Sequence, residues 1–329
     1  MNVSSSPSAP LPISPESGRL IYGCMGLGGP WSGTEYGAAE VDQAAEVIAA
    51  ARSIGVQLFD LADIYREGKS EAVLGEVLAH TPGLRESILL QTKCSIRLGE
   101  DNLSAQYNLS REGILERVNA SLQRLRTDYI DVLLLHRPDP LMEVHETAAA
   151  IKKLMDEGKV RQLGVSNMSA AQMAFLQDSL ETPIVADQLE MSLRRRAWLE
   201  SGILLNREQD PHHNFPHGTL EYCQRHDVEL QAYGPLAQGA YSDPAARHAD
   251  PATAAATAMV AELAQTYGTT PEAVVLGWLM RHPARISPVI GTTNIARIVA
   301  CADAPRVARE LTRAQWYQLW VAARGNDLP

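Results

Sequence analysis

Four residues able to exchange or steer a proton stand at or just beyond the ends of short apolar runs: Asp60, Tyr65, Lys93 and His136. Asp60 closes the run Leu58-Phe59, Tyr65 follows five positions on, Lys93 ends a second run over residues 87–92, and His136 ends a third over 129–135. An ammonium beside a phenol favours the phenolate and lowers the phenol's pKa from its reference of about 10, while a carboxylate holds the ammonium in place. Such a group makes tyrosine a usable proton donor near neutral pH. Singly, each residue has a plainer reading: Asp60 as a turn cap, Tyr65 as a half-buried aromatic, His136 as a satisfied structural histidine. Lys93 resists that treatment, because lysine is almost never fully buried unless paired.

The runs that deliver these residues belong to a repeating alternation. Residues 11–14 and 19–25 are short β-prone stretches around a turn at 15–18, which predicts a hairpin leading into a first strand. Residues 41–54 carry apolar side chains at helical spacing and end at Gly55; 58–60 is a strand; Gly68-Lys69-Ser70-Glu71 reads as a turn before a helix over 72–79. Helix 110–126, strand 129–135, helix 148–155 and strand 160–165 follow. Ser169 with Gln172, and Thr312 with Gln315, have the spacing of capping boxes. Between them come strand 183–188, helix 219–225, strand 228–233, helices 251–267 and 271–281, and strand 286–290. Residues 192–218, with three arginines, two prolines and a cluster of histidines, read as one long loop.

About eight strands separated by helices predict a parallel α/β fold. No glycine-rich phosphate turn follows a strand at dinucleotide-fold spacing, since Gly23, Gly26 and Gly28 fall wrongly for it. A single (β/α)8 TIM barrel over 11–329 is therefore expected, its bottom closed by the N-terminal hairpin and preceded by a loose Ser/Pro-rich extension at 1–10. In such barrels the chemistry sits where the strands end. The residues found there are Asp60, Lys93, His136, Ser166 with Asn167, Gln188 and Tyr233, which should converge on one mouth.

A formal charge of −10 argues against binding nucleic acid or an anionic membrane. No window has the apolar length of a membrane span. Cys24, Cys94, Cys223 and Cys301 lack metal-type spacing and read as free thiols in the reducing cytoplasm. The histidines near 212–217 lack the paired spacing of a zinc site, so no metal is expected.

The ordered set Asp60, Tyr65, Lys93 and His136 resembles the catalytic tetrad of the aldo-keto reductases. So do Phe59-Asp60-Leu61-Ala62-Asp63-Ile64-Tyr65, Leu135-His136-Arg137-Pro138-Asp139, Gly164-Val165-Ser166-Asn167 and Ala232-Tyr233-Gly234-Pro235-Leu236. The likeness runs from about residue 19 to the end and is strongest to bacterial NADPH-dependent members. It implies reduction of a small-molecule carbonyl by NADP(H) in a monomer or small homo-oligomer. It assigns Ser166, Asn167 and Gln188 to the nicotinamide amide, Tyr233 to ring stacking, and Gly26, Gly234 and Leu236 to cofactor contact, Leu236 along the pyrophosphate. Gly291, Thr292, Thr293, Asn294 and Arg297 would surround the adenosine 2'-phosphate. Gly291 stands where a lysine is common, and Ala300 and Cys301 where a polar pair is usual, so selectivity would rest on Arg297 with hydroxyls and backbone donors. The resemblance also permits a cofactor-binding, redox-sensing regulatory subunit with little turnover.

Overall fold

The computed structural model describes residues 19–33, 35–99, 104–204, 215–242 and 250–329. Its strands are β1 (Ile21–Gly23), β2 (Leu58–Asp60), β3 (Leu89–Cys94), β4 (Ile96–Arg97), β5 (Gln106–Tyr107), β6 (Ile130–Leu135), β7 (Val160–Ser166), β8 (Ile184–Glu190), β9 (Glu229–Tyr233) and β10 (Ser287–Ile290). Eight of them close a barrel in the order β1-β10-β9-β8-β7-β6-β3-β2, each pair parallel. The helices between them are α1 (Ala38–Ser53), α2 (Lys69–His80), α3 (Leu84–Ser87), α4 (Arg111–Leu125), α5 (Val144–Asp156), α6 (Ala170–Gln177), α7 (Ala197–Ile203), α8 (Thr219–Arg225), α9 (Pro251–Tyr267) and α10 (Pro271–Met280). After β10 come α11 (Ile295–Val299), α12 (Ala304–Glu310) and α13 (Arg313–Arg324). The expected (β/α)8 barrel is the observed fold.

Helix starts follow the capping chemistry. Ser169 accepts from the Gln172 backbone N–H and Thr312 from that of Gln315, both as complete capping boxes. Ser110 caps α4, and Asp250 and Thr270 cap α9 and α10 ahead of Pro251 and Pro271. Alternation along the strands divides the core in two. One set of side chains, including Leu133, Leu135, Leu163 and Leu230, packs outward against the helices. The other, including Ile21, Leu58, Val132, Leu134 and Val289, fills the barrel interior.

Three expectations change. Residues 69–71 are not a turn but the first turn of α2, and all three side chains are buried. Lys69 Nζ donates to the carbonyls of Pro30 and Ser32 at 2.7 and 3.2 Å, Ser70 Oγ to that of Leu27 at 2.8 Å, and Glu71 accepts from Thr92 and Arg124. Their polarity mimics a turn while their partners lie on distant segments. The stretch 192–218 is not wholly loop, since α7 occupies 197–203 and Trp198 packs edge-on to Trp278 at 5.8 Å. The neighbouring arginines obscured it, although Arg196 pairs with Glu200 one turn on. The β4–β5 hairpin, inserted after β3, has no counterpart in the predicted alternation. The 1–10 extension, the 11–18 part of the expected hairpin and the His212 and His213 pair lie outside the described residues. Among the described residues no helix is long and apolar enough to cross a membrane.

Candidate active site

β2 and β3 pair in parallel with Asp60 opposite Gln91, which sets Asp60 beside the strand that carries Lys93. Asp60 and Lys93 are 2% and 0% exposed. Lys93 Nζ donates to Asp60 Oδ2 at 2.7 Å, to the Leu61 carbonyl at 2.7 Å and to the Tyr65 hydroxyl at 3.1 Å. All three ammonium hydrogens are therefore used, as burial of a lysine requires. Tyr65 is carried on a tight turn whose next residues, Arg66 and Glu67, have φ of 52° and 58°. Its ring meets that of His136 edge-on, with centroids 6.0 Å apart. His136 follows β6, its backbone N–H bonded to the Cys94 carbonyl and its neighbour Arg137 held through Ser95 Oγ.

The electrostatics of this cluster differ from the sequence expectation in one respect. Burial pushes the Tyr65 phenol above its ordinary pKa; the Lys93 charge and hydrogen bond pull it down, and Asp60 pushes it up again. The net direction is upward, not downward, so the phenol stays protonated through the neutral range. For Lys93, burial would depress the ammonium, but Asp60 and Tyr65 together raise its pKa above the ordinary value. Burial, with Lys93 and Arg137 nearby, lowers His136 to about 2. Its imidazole is neutral and can donate only one hydrogen bond.

The cluster forms one wall of a cleft of about 650 Å³. Asp60, Tyr65 and His136 share this cleft with the strand-end residues Ser166, Asn167, Gln188 and Tyr233, and with Gly234, Leu236, Gly291, Thr292 and Arg297 from the expected cofactor contacts. Lys93 is fully buried and does not itself line the cleft. Gly26, Thr293 and Asn294 do not line it: Gly26 packs on Thr293, and Asn294 caps α11 by accepting from the Arg297 N–H. Met25, Trp31, Ile64 and Arg137 line it too; Ile64 and Arg137 lie within the quoted motifs, but none of the four has a predicted role of its own. Trp31 is held by the Arg66 guanidinium, 4.9 Å from its ring centre, and the Arg66 Nε donates to the Met25 carbonyl.

The opposite wall suits an amide-bearing ring and an extended phosphate chain. Asn167, in the left-handed region at φ 59°, donates to Ser166 Oγ at 2.8 Å and accepts from Tyr233 at 3.1 Å, so three candidate contacts form one hydrogen-bonded set. Gly234, at φ +62°, and Gly291 have only distant neighbours where a Cβ would stand, 3.9 and 3.8 Å away, leaving bare backbone along the cleft. Arg297 closes the far end, with its Nε 4.0 Å from Glu272. These donors and bare stretches fit a dinucleotide.

Residues 19–319 match the family model described as Aldo/keto reductase family. The chain belongs to that family. It is 33% identical over 317 residues to a 6-dehydroglucose reductase of Agrobacterium fabrum, covering 95% of this chain and 96% of the relative. It is 37% identical to the uncharacterized oxidoreductase YcsN of Bacillus subtilis, over 84% of this chain and 86% of that one. Among solved structures, an aldo-keto reductase from Klebsiella pneumoniae in complex with NADPH superposes with a TM-score of 0.68 at 26% identity, covering 91% and 89% of the two chains. The thermostable aldo-keto reductase Tm1743 shares the fold with a TM-score of 0.72 at 23% identity, covering 92% and 94%. As an aldo-keto reductase, the protein is an NADP-dependent oxidoreductase.

Proposed function

We propose that this aldo-keto reductase reduces an aldehyde or ketone to the alcohol with Tyr65 as general acid. The observation that carries this reading is the Lys93 ammonium, held by Asp60 and in contact with the Tyr65 hydroxyl at the cleft wall. NADPH, when bound, supplies the hydride. The Tyr65 hydroxyl gives its proton to the carbonyl oxygen as negative charge develops there, and Lys93 stabilises the phenolate left behind. The neutral His136 donates a hydrogen bond that orients the same oxygen. Ser166, Asn167 and Gln188 seat the nicotinamide amide, Tyr233 stacks on its ring, and Arg297 with Thr292 reads the 2'-phosphate, since a guanidinium fork suits phosphate.

For the substrate, two relatives covering most of this chain are named 6-dehydroglucose reductases. A sugar aldehyde is thus the first class to test. Trp31 at the cleft supports it, because an aromatic face can pack on the C–H face of a sugar. The test follows NADPH oxidation with a panel of sugar and simple aldehydes, comparing the parent with Tyr65→Phe. The variant keeps the ring but loses the hydroxyl, so turnover should fall by about 10² to 10⁴ with NADPH affinity retained. A variant that turns over at close to the parent rate would remove Tyr65 from the reaction.

A further inference from the structure

Two glutamines inside the barrel have no part in the reading above. Gln91 stands two residues before Lys93 on β3, and Gln231 two before Tyr233 on β9. Strand alternation turns both into the barrel, and both are completely buried. In the closed ring β3 and β9 are four strands apart in either direction, so they face each other across the axis. Their amides meet there: Gln91 Nε2 donates to Gln231 Oε1 at 2.7 Å, and Gln231 Nε2 donates back to Gln91 Oε1 at 3.0 Å. On one side Gln91 Nε2 also donates to Asp60 Oδ1 at 2.6 Å; on the other, Gln188 Nε2 donates to Gln231 Oε1 at 3.1 Å. An unbroken chain of side-chain hydrogen bonds thus runs from Asp60 to Gln188.

The chain has one consistent orientation. Turning the Gln91 amide over would point its oxygen at the Asp60 carboxylate; turning Gln231 over would set its NH2 against that of Gln188. Leu58, Val132, Leu134 and Val289 are apolar interior neighbours, while Gln231 also lies beside the buried Glu229 and is paired in register with Ser287. A displaced Gln91 or Gln231 amide would break the reciprocal pair and its bond to Asp60 or Gln188 in a buried setting, so each link holds the next.

We propose that Gln91 and Gln231 are positioning residues that hold the proton-donor cluster and the cofactor-seating Gln188 in fixed relation across the barrel. Gln91 occupies Asp60 Oδ1, which leaves Oδ2 to aim at Lys93. Gln231 turns the Gln188 N–H inward, which leaves the rest of that amide to face the cleft it lines. The inference rests on the proposed roles of Asp60, Lys93 and Gln188.

The experiment compares the parent with Gln231→Leu, Gln188→Ala, their combination, and Gln91→Leu/Gln231→Leu. The last replaces the reciprocal amide pair by apolar side chains and also removes the partners of Asp60 Oδ1 and the Gln188 N–H, so some loss of stability is expected with it. Urea midpoints confirm the fold, fluorescence titration gives the NADPH dissociation constant, and kcat and KM are measured with one reactive aldehyde. Gln231→Leu should weaken NADPH about three- to tenfold, the scale of one neutral hydrogen bond, and add little once Gln188 is alanine. Gln91→Leu/Gln231→Leu should also lower kcat about tenfold or more, with KM for the aldehyde unchanged, because the bond lost at Asp60 is to a charge. A purely structural pair would move the urea midpoint and leave affinity and kcat of the folded protein alone. Additive effects of Gln231→Leu and Gln188→Ala on NADPH binding, or a folded double-leucine variant within twofold of the parent in both affinity and kcat, would overturn the proposal. A parent that reduces no carbonyl would instead overturn the proposed function, while the affinity cycle, which needs no turnover, would still decide the link to Gln188.

Discussion

Replacing Lys93 by methionine separates what the ion pair does for the fold from what it does for the chemistry. The side chains of Lys93 and Asp60 are 0% and 3% exposed, so the aspartate stranded by Lys93→Met cannot turn to water. Its remaining donor is Gln91 at 2.6 Å. Removing one partner of a buried pair costs about 3 to 5 kcal/mol. At a few degrees per kcal/mol for a chain of this size, Tm should fall on the order of 10 °C. The rate should fall further. A unit charge at the 3.1 Å separating Nζ from the Tyr65 hydroxyl interacts with a phenolate by about 5 kcal/mol at an effective dielectric of 20. Even partial development of that charge in the transition state accounts for a rate loss of about 10² to 10⁴.

A second substitution then distinguishes the two effects. Asp60→Asn placed on Lys93→Met removes the stranded charge but keeps an oxygen for Gln91 to bond. The double variant should recover at least about 2 kcal/mol of the lost stability while remaining as slow as the single one. Urea unfolding and single-turnover NADPH oxidation read the two quantities separately. A Lys93→Met protein as stable as the parent would refute the burial argument. One as fast as the parent would refute the role assigned to the ammonium.

Two other expectations follow from the same electrostatics. Arg297→Ala should weaken NADPH by about 1.5 to 3 kcal/mol, the scale of a charged hydrogen bond, and barely change NADH; equal weakening of both cofactors in a fluorescence titration would show that Arg297 does not read the 2'-phosphate. Asp187 on β8 is fully buried, and burial raises its pKa from 3.8 to about 8. Between those values the native protein holds a proton that the unfolded chain has released, so this residue's contribution to stability is present at low pH and is lost as pH rises. Asp187→Asn should therefore gain stability over the parent by on the order of 2 to 4 kcal/mol between pH 5 and pH 8. Urea midpoints at the two pH values check this, and an advantage that does not grow with pH would count against the buried charge.

Much of the barrel was legible because its signals are local. Ser169 with Gln172 and Thr312 with Gln315 announce their helices within four residues, and a polar residue after an apolar strand marks each strand end. What stayed hidden depends on partners far along the chain. Gln91 sits within the stretch 87–92 read as an apolar run, and only its bonds to Asp60 and Gln231 explain why a glutamine can be there. Counting back in twos from Lys93 and Tyr233 would have placed both glutamines inside the barrel, so a signal existed. The net rise in the Tyr65 pKa had none. It depends on how deeply the ring is buried, which the spacing of Asp60, Tyr65 and Lys93 does not encode.

The way charge is distributed around the cleft explains how an acidic protein can hold a polyanionic cofactor. At the proton-donor wall Asp60 is matched by Lys93, while Tyr65 and His136 are uncharged, so that wall contributes almost no net field. Among the described residues the other ionisable side chains lining the cleft are Arg137 and Arg297, the latter with its Nε 4.0 Å from Glu272. These described lining residues thus carry more positive than negative charge although the chain carries a formal charge of −10. Beyond about one Debye length, near 10 Å, surface charge is screened, whereas Glu272 is close enough to offset part of the Arg297 charge. On the proposed assignment, attraction of the cofactor phosphates falls to Arg297 with Thr292, and the buried chain from Lys93 through Asp60 and Gln91 is left to hold geometry without also having to attract the ligand.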